Sequence, residues 1–162
     1  MLLALAACAP EPEATSRIVL REFARVPGEP PILRVRLGLE PSPPIRAALE
    51  HGIPLTIEWS LEPARGQRLV RRLRLQRSPL LRRYVLEEEG QSGGRSFQHL
   101  NALLAAVEQQ EFVLGPAEES PLGLRVRLVR EALPPPLQLP ALLDPEWRLA
   151  ARFLLPGARS SR

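Results

Sequence analysis

The chain has 162 residues, 44% of them hydrophobic and 25% charged, and carries a formal net charge of +4. That length fits one domain and excludes a second independent core, and the apolar content excludes a disordered chain. All 22 bases are arginine, and of the 18 acids only Asp144 is an aspartate; the pI near 10.7 therefore reflects bases that never deprotonate, and argues only weakly for a nucleic-acid partner.

At the amino terminus, Leu2 to Ala7 are all apolar, and Leu5-Ala6-Ala7-Cys8 fits a bacterial lipobox, in which small residues before a cysteine admit the processing peptidase and leave Cys8 lipidated. Residues 9–16 follow as a Pro-rich polar tether, so 1–16 reads as signal, lipobox and spacer. No base precedes the apolar run, which is shorter than the roughly 7 to 15 residues of an ordinary signal core; a start codon assigned too far downstream would produce both features. Cys8 is the sole cysteine, which excludes an intrachain disulfide. Lipid on Cys8 would anchor an otherwise soluble domain. The single domain is expected over residues 17–159, with 160–162 a disordered tail.

Within that domain, period-two alternation dominates. Leu33, Val35, Leu37 and Leu39 alternate with Arg34 and Arg36, and Leu55, Ile57, Trp59 and Leu61 alternate with polar neighbours. Leu73 to Leu75 and Leu124 to Leu128 repeat the rhythm, and residues 18–23, 84–88 and 147–155 follow it more loosely. Two helices interrupt. Ser42 is the expected N-cap of a short helix, with Pro43 at its first position and Gly52 as its stop. The second opens after Gly93-Gly94 with Ser96 as its cap and runs from Phe97 to about Gln110, carrying Phe97, Leu100, Leu104 and Val107 on one stripe. Residues 77–83 read as a hairpin connection, and Leu133-Pro134-Pro135-Pro136-Leu137 as an extended segment. The expected fold is mainly β within the α+β class, an antiparallel β-sandwich-like domain of about seven strands with two short helices.

The order of motifs resembles a proteobacterial family of exported proteins, domain of unknown function 4390. The resemblance rests on Gly52-Ile53-Pro54-Leu55 leading into a strand, on the hairpin ending in Arg83-Tyr84-Val85-Leu86, and on Ser96-Phe97 with Leu100 and Leu103-Leu104. It continues through Leu133-Pro134-Pro135-Pro136-Leu137-Gln138 and Asp144-Pro145-Glu146-Trp147-Arg148-Leu149. The resemblance implies an envelope protein with an export signal, often encoded beside a nitrogen-regulation-type sensor kinase and its response regulator. It carries over no catalytic residues. The chain departs from the pattern at Pro63-Ala64-Arg65-Gly66-Gln67, where the family usually has an aromatic-rich stretch.

Groups able to do chemistry are scarce: two histidines, one tyrosine, one aspartate and no lysine. His51 precedes a helix-ending glycine, where it would pair with free carbonyls, and His99 falls in the first turn of the second helix, neither with a partner at metal spacing. Glu87-Glu88-Glu89 reads as a solvated strand end. The reading is of a non-enzyme with no metal or cofactor. Arg34 and Arg36, Arg72 and Arg74, and Arg125 and Arg127 are candidates for an arginine stripe on one sheet face that meets anionic lipid or an acidic protein patch, partly neutralised by Glu58 and Glu62.

The expected function is thus that of a non-catalytic exported envelope lipoprotein, structural or accessory to a sensor kinase, on the periplasmic side of a bacterial membrane. A soluble periplasmic form is the variant without lipid. The alternative class is a cytoplasmic module that binds nucleic acid or another anionic surface through the arginine face. Nucleic acid fits less well, because Trp59, Tyr84 and Trp147 stand at or near apolar core positions instead of among the bases.

Overall fold

The computed structural model describes residues 16–63, 66–115 and 121–157. Cys8, the spacer after it as far as residue 15, and the tail at 160–162 lie outside the described residues. Nine strands are present: β1 (Arg17–Val26), β2 (Ile32–Glu40), β3 (Leu55–Pro63), β4 (Leu69–Ser78), β5 (Arg83–Glu88), β6 (Arg95–Phe97), β7 (Gln109–Val113), β8 (Leu122–Leu128) and β9 (Ala150–Leu155). Helices α1 (Pro43–Glu50), α2 (Leu100–Glu108) and α3 (Pro135–Leu143), with single 3-10 turns at Arg130–Ala132 and Pro145–Trp147, complete the described elements.

The strands form a three-stranded sheet in the order β1-β2-β7 and a six-stranded sheet in the order β6-β5-β4-β3-β8-β9, with every pairing antiparallel. Alternation explains why they pack. Leu33, Val35 and Leu37 on β2 are buried, as are Leu55, Ile57, Trp59 and Leu61 on β3, Leu73 and Leu75 on β4, and Leu122, Leu124 and Val126 on β8. Each such side chain contributes roughly 1.5–3 kcal/mol when removed from water. The Trp59 and Phe112 rings, 6.2 Å apart between centroids, join the large sheet to the small one. On one side the sheets approach through β1 and β9, where Arg25 Nη2 donates to the Pro156 carbonyl at 3.3 Å. On the other side α2 lies across the opening, packing on β2, β5, β6 and β7 and burying Leu103, Leu104 and Val107.

Helix α1 forms where Ser42-Pro43 and Gly52 place it, and Gly52 takes φ +80°, the left-handed conformation that ends helices at least cost to glycine. Ser42 is the flanking residue but does not cap with its side chain: its hydroxyl donates to the Glu146 carbonyl at 2.6 Å, and its N–H donates to Ser16 Oγ at 3.0 Å. Ser42, through its backbone N–H and its hydroxyl, thereby ties Ser16 to the turn before β9.

The structure corrects the expected elements in three places. Ser96 is not a helix cap, because residues 95–97 pair with β5 as β6, and α2 starts only after His99. That helix ends at Glu108, and Gln109 and Gln110, expected as its last residues, open β7, which buries Gln110 and Phe112 against the core. The Pro134-Pro135-Pro136 run does not remain extended. Pro135 and Pro136 occupy the first positions of α3, where a missing N–H costs nothing, since those donors have no helical partner anyway. With β6 and β7 added, nine strands stand where about seven were expected.

Candidate functional site

Arginine alternation builds the outer face of the large sheet. Glu58 on β3 stands opposite Arg72 on β4 and Arg127 on β8, and the register turns both guanidinium groups onto it. Arg72 Nε donates to Glu58 Oε2 at 2.9 Å and Arg127 Nε to Oε1 at 3.1 Å, while Arg68 approaches to 3.8 Å. Although it points away from the core, the Glu58 side chain keeps only 5% of its surface exposed. Burial pushes its carboxyl pKa up, but the hydrogen bonds and charges of Arg72 and Arg127 outweigh that and hold it below the ordinary value. In return Glu58 first, and then Glu89, push the Arg72 guanidinium pKa up. Glu62 repeats the pattern at the sheet edge, 2.9 Å from Arg152 and 3.8 Å from Arg68.

The six candidate arginines are therefore not one stripe. Arg72, Arg74, Arg125 and Arg127 share the outer face of the large sheet, and Arg34 and Arg36 lie on β2 in the small one. Arg72 and Arg127 are committed to Glu58, and Arg34 to Glu111 at 2.7 Å. Arg36, Arg74 and Arg125 have no ion pair among the described residues. Arg72 and Arg74 also line a groove of about 670 Å³ whose other walls include Glu87, Glu88, Glu89 and Glu131. Its charge is mixed and leans acidic.

Arg34 and Arg36 open instead onto a cleft of about 440 Å³ that they share with Glu22 on β1, with Arg71 and Glu88 from the large sheet, with Arg95 on β6, and with Gln110 and Glu111 on β7. Arg71 falls at the inward parity of β4, in step with Leu73 and Leu75, so it reaches the cleft from inside the sandwich. Its Nε lies 2.8 Å from Glu88 Oε1, its Nη1 donates to Gln110 Oε1 at 3.0 Å, and its guanidinium sits 5.3 Å from the Phe112 ring centroid. Buried Gln110 in turn donates to the carbonyls of Ala106 and Val107. Arg36 and Arg95 face the same space without an ion pair among the described residues, and Glu22 stands opposite Arg36 across the β1–β2 ladder. Two guanidinium groups so placed can take a carboxylate or phosphate through paired, charge-assisted hydrogen bonds.

Arg71 and Arg95 were not singled out from the sequence. Arg71 carries a readable signal, a base at a core-facing position of an alternating strand. Arg95 carries none, because its strand was taken for a helix start. Elsewhere His51 Nδ1 lies 2.6 Å from the Ala47 carbonyl and Asp144 accepts from the Glu146 N–H at 2.9 Å to hold a turn, while His99 flanks the start of α2 without a side-chain capping bond. Among the described residues no group of three or more His, Cys, Asp or Glu side chains could hold a metal ion. Trp59, Phe112 and Trp147 are buried, and Tyr84, Phe97 and Phe153 pack against the core, so none offers a stacking platform among the outer arginines.

A family model covers residues 28–154, from the turn before β2 into β9. The chain belongs to the family described as Domain of unknown function (DUF4390). The matched span takes in the large sheet, β2 and β7 of the small one, the Glu58 network and the whole lining of the arginine cleft apart from the part supplied by β1. No curated protein and no solved structure matches the chain. No helix among the described residues is long and apolar enough to cross a membrane.

Proposed function

We propose that this DUF4390 protein is a non-catalytic domain of the bacterial cell envelope, held on the periplasmic side of a membrane by lipid on Cys8, which binds an acidic patch of a partner protein in its arginine cleft. The observation that carries the binding role is the convergence of Arg36 and Arg95, from different sheets, on one cleft that also holds Glu22, Glu88 and Glu111, with neither arginine in an ion pair among the described residues. A structural envelope role or an accessory role to a sensor kinase both fit such a contact, the second supported by the family's gene neighbourhood alone. The non-catalytic reading is supported by the structural employment of His51, Asp144 and Glu58, which leaves the cleft lined by arginine, glutamate and glutamine with no placed nucleophile.

Two measurements test it. Palmitate labelling with membrane fractionation should show labelled, membrane-bound wild type and soluble, unlabelled Cys8→Ala; unlabelled, soluble wild type would overturn the anchoring. For the cleft, a glutamate-rich peptide titrated into the full chain should shift the amide resonances of Gln109, Gln110 and Glu111. Arg36→Gln with Arg95→Gln, which adds no acid beside Glu22, should abolish that response without lowering Tm, and an unchanged response in this double variant rules out the cleft.

A further inference from the structure

The connection between β4 and β5 is a four-residue turn, Pro79-Leu80-Leu81-Arg82, closed by the Ser78 and Arg83 pair. Leu80 is 95% exposed and Leu81 64%, the first being the most exposed large hydrophobic side chain among the described residues. Singly exposed leucines are ordinary on protein surfaces. Two in succession at the tip of a projecting hairpin are not, and their surroundings are equally one-sided. From Gln76 to Tyr84 the chain carries Arg77, Arg82 and Arg83 and no acid. Arg77 is turned back, its Nη1 donating to the Glu50 carbonyl at the end of α1 at 2.7 Å, which braces the hairpin base. Arg82 and Arg83 are exposed and have no ion pair among the described residues.

Backbone details point the same way. Arg82 takes φ 48°, a left-handed conformation that glycine or asparagine adopts at less cost, so a cation stands where the turn alone would favour a smaller residue. Pro79 has no N–H, and the Leu81 N–H is met by Ser78 Oγ at 3.4 Å, which leaves fewer bare donors to strip of water if the tip leaves it. We propose that this hairpin tip is an interfacial membrane contact, with Leu80 and Leu81 inserted at the acyl boundary and Arg82 and Arg83 at the level of anionic phospholipid headgroups.

A lipid surface fits better than a protein partner on grounds of size. A specific protein contact needs roughly 800 Å² from each side, about 20–30 residues, and a convex six-residue tip cannot supply it. A fluid apolar layer needs no complementary shape. Each inserted leucine is worth roughly tenfold or more in partition, and each arginine near an anionic surface about fivefold. The contact does not depend on lipid at Cys8, and it would hold the domain in one orientation to the membrane, which a flexible tether alone cannot do.

The test uses the full chain carrying Cys8→Ala, so that no acyl chain contributes, in flotation with phosphatidylglycerol-containing vesicles and with pure phosphatidylcholine vesicles. Binding is expected to the anionic vesicles, weakening with added salt. Leu80→Ser with Leu81→Ser should lower it on the order of a hundredfold, and Arg82→Glu with Arg83→Glu at least about 25-fold, the loss of two fivefold factors. Because these side chains are exposed, the variants should keep the wild-type Tm. Leu80→Trp should give a blue-shifted emission with anionic vesicles that brominated lipid quenches. No vesicle binding by the Cys8→Ala chain, or equal binding by the serine variant, overturns the proposal. So would a dimer seen in light scattering that the serine variant abolishes, since the tip would then belong to a second copy. Palmitate labelling reads the Cys8 anchor separately, so either idea can fail alone.

Discussion

Replacing Glu58 by glutamine keeps the shape and one acceptor of the side chain at the centre of the large sheet and removes its charge. Stripping one partner from a fully buried ion pair costs roughly 3–5 kcal/mol, because a charge is stranded. Here the stranded groups are Arg72 and Arg127, whose side chains are 46% and 29% exposed and can turn to water. Screening by that water, with one neutral hydrogen bond retained, lowers the expected cost to about 1–2 kcal/mol. In a chain of this size that is a fall of about 2–8 °C in Tm. The pH dependence separates charge from shape. Because the folded carboxyl titrates below its ordinary value, its stabilisation is complete above the unfolded value of 4.5 and is lost as pH falls through the folded one. Thermal unfolding followed by circular dichroism should therefore show a gap between wild type and Glu58→Gln at neutral pH that closes below about pH 4.5. No gap at neutral pH, or one that persists undiminished in acid, would refute the argument that Arg72 and Arg127 make this charge favourable.

Ser42→Ala removes the 2.6 Å bond to the Glu146 carbonyl, which keeps Ser16 Oγ as a donor at 3.3 Å, so the expected loss in urea unfolding is about 0.5–1.5 kcal/mol. Gly52→Ala forces a side chain into φ +80° at the end of α1 and should cost about 1–2 kcal/mol, read the same way. Trp59→Phe should be mild, about 1 kcal/mol or less, because it also deletes a buried indole N–H that has no hydrogen-bond partner, whereas Leu61→Ala on the same strand should cost about 2–5 kcal/mol.

Strands β2, β3, β4 and β8 were legible because one face of each is wet, and the two-residue period survives in the side chains themselves. The neutralising role of Glu58 and Glu62 was legible for the same reason, since alternation puts them on the arginine side. Helix α2 was misplaced at both ends because its apolar residues, Leu100 to Val107, keep a helical spacing that Phe97 and Gln110 happen to continue. What makes Phe97 and Gln110 strand residues is non-local: Phe97 lies opposite Tyr84, and Gln110 opposite Val35 and in reach of Arg71. Propensity over a short window cannot see such partners. The arginine candidates split between two sheets on the same ground. Alternation tells which side of a strand an arginine takes, but not which sheet the strand joins.

That split separates structural arginines from those open to a ligand. Arg72 and Arg127 serve Glu58, Arg152 serves Glu62, and Arg77 and Arg130 serve helix-end carbonyls, so substituting any of them would disturb folding and binding together. Arg36 and Arg95 in the cleft, and Arg82 and Arg83 at the hairpin tip, have no such employment among the described residues. A surface arginine without a partner adds little to stability, and removing its charge, or reversing it where no acid stands opposite, should leave Tm nearly unchanged. Loss of binding in the Arg36, Arg95, Arg82 or Arg83 variants can therefore be read as loss of a contact, a distinction that an arginine tied to Glu58 could never provide.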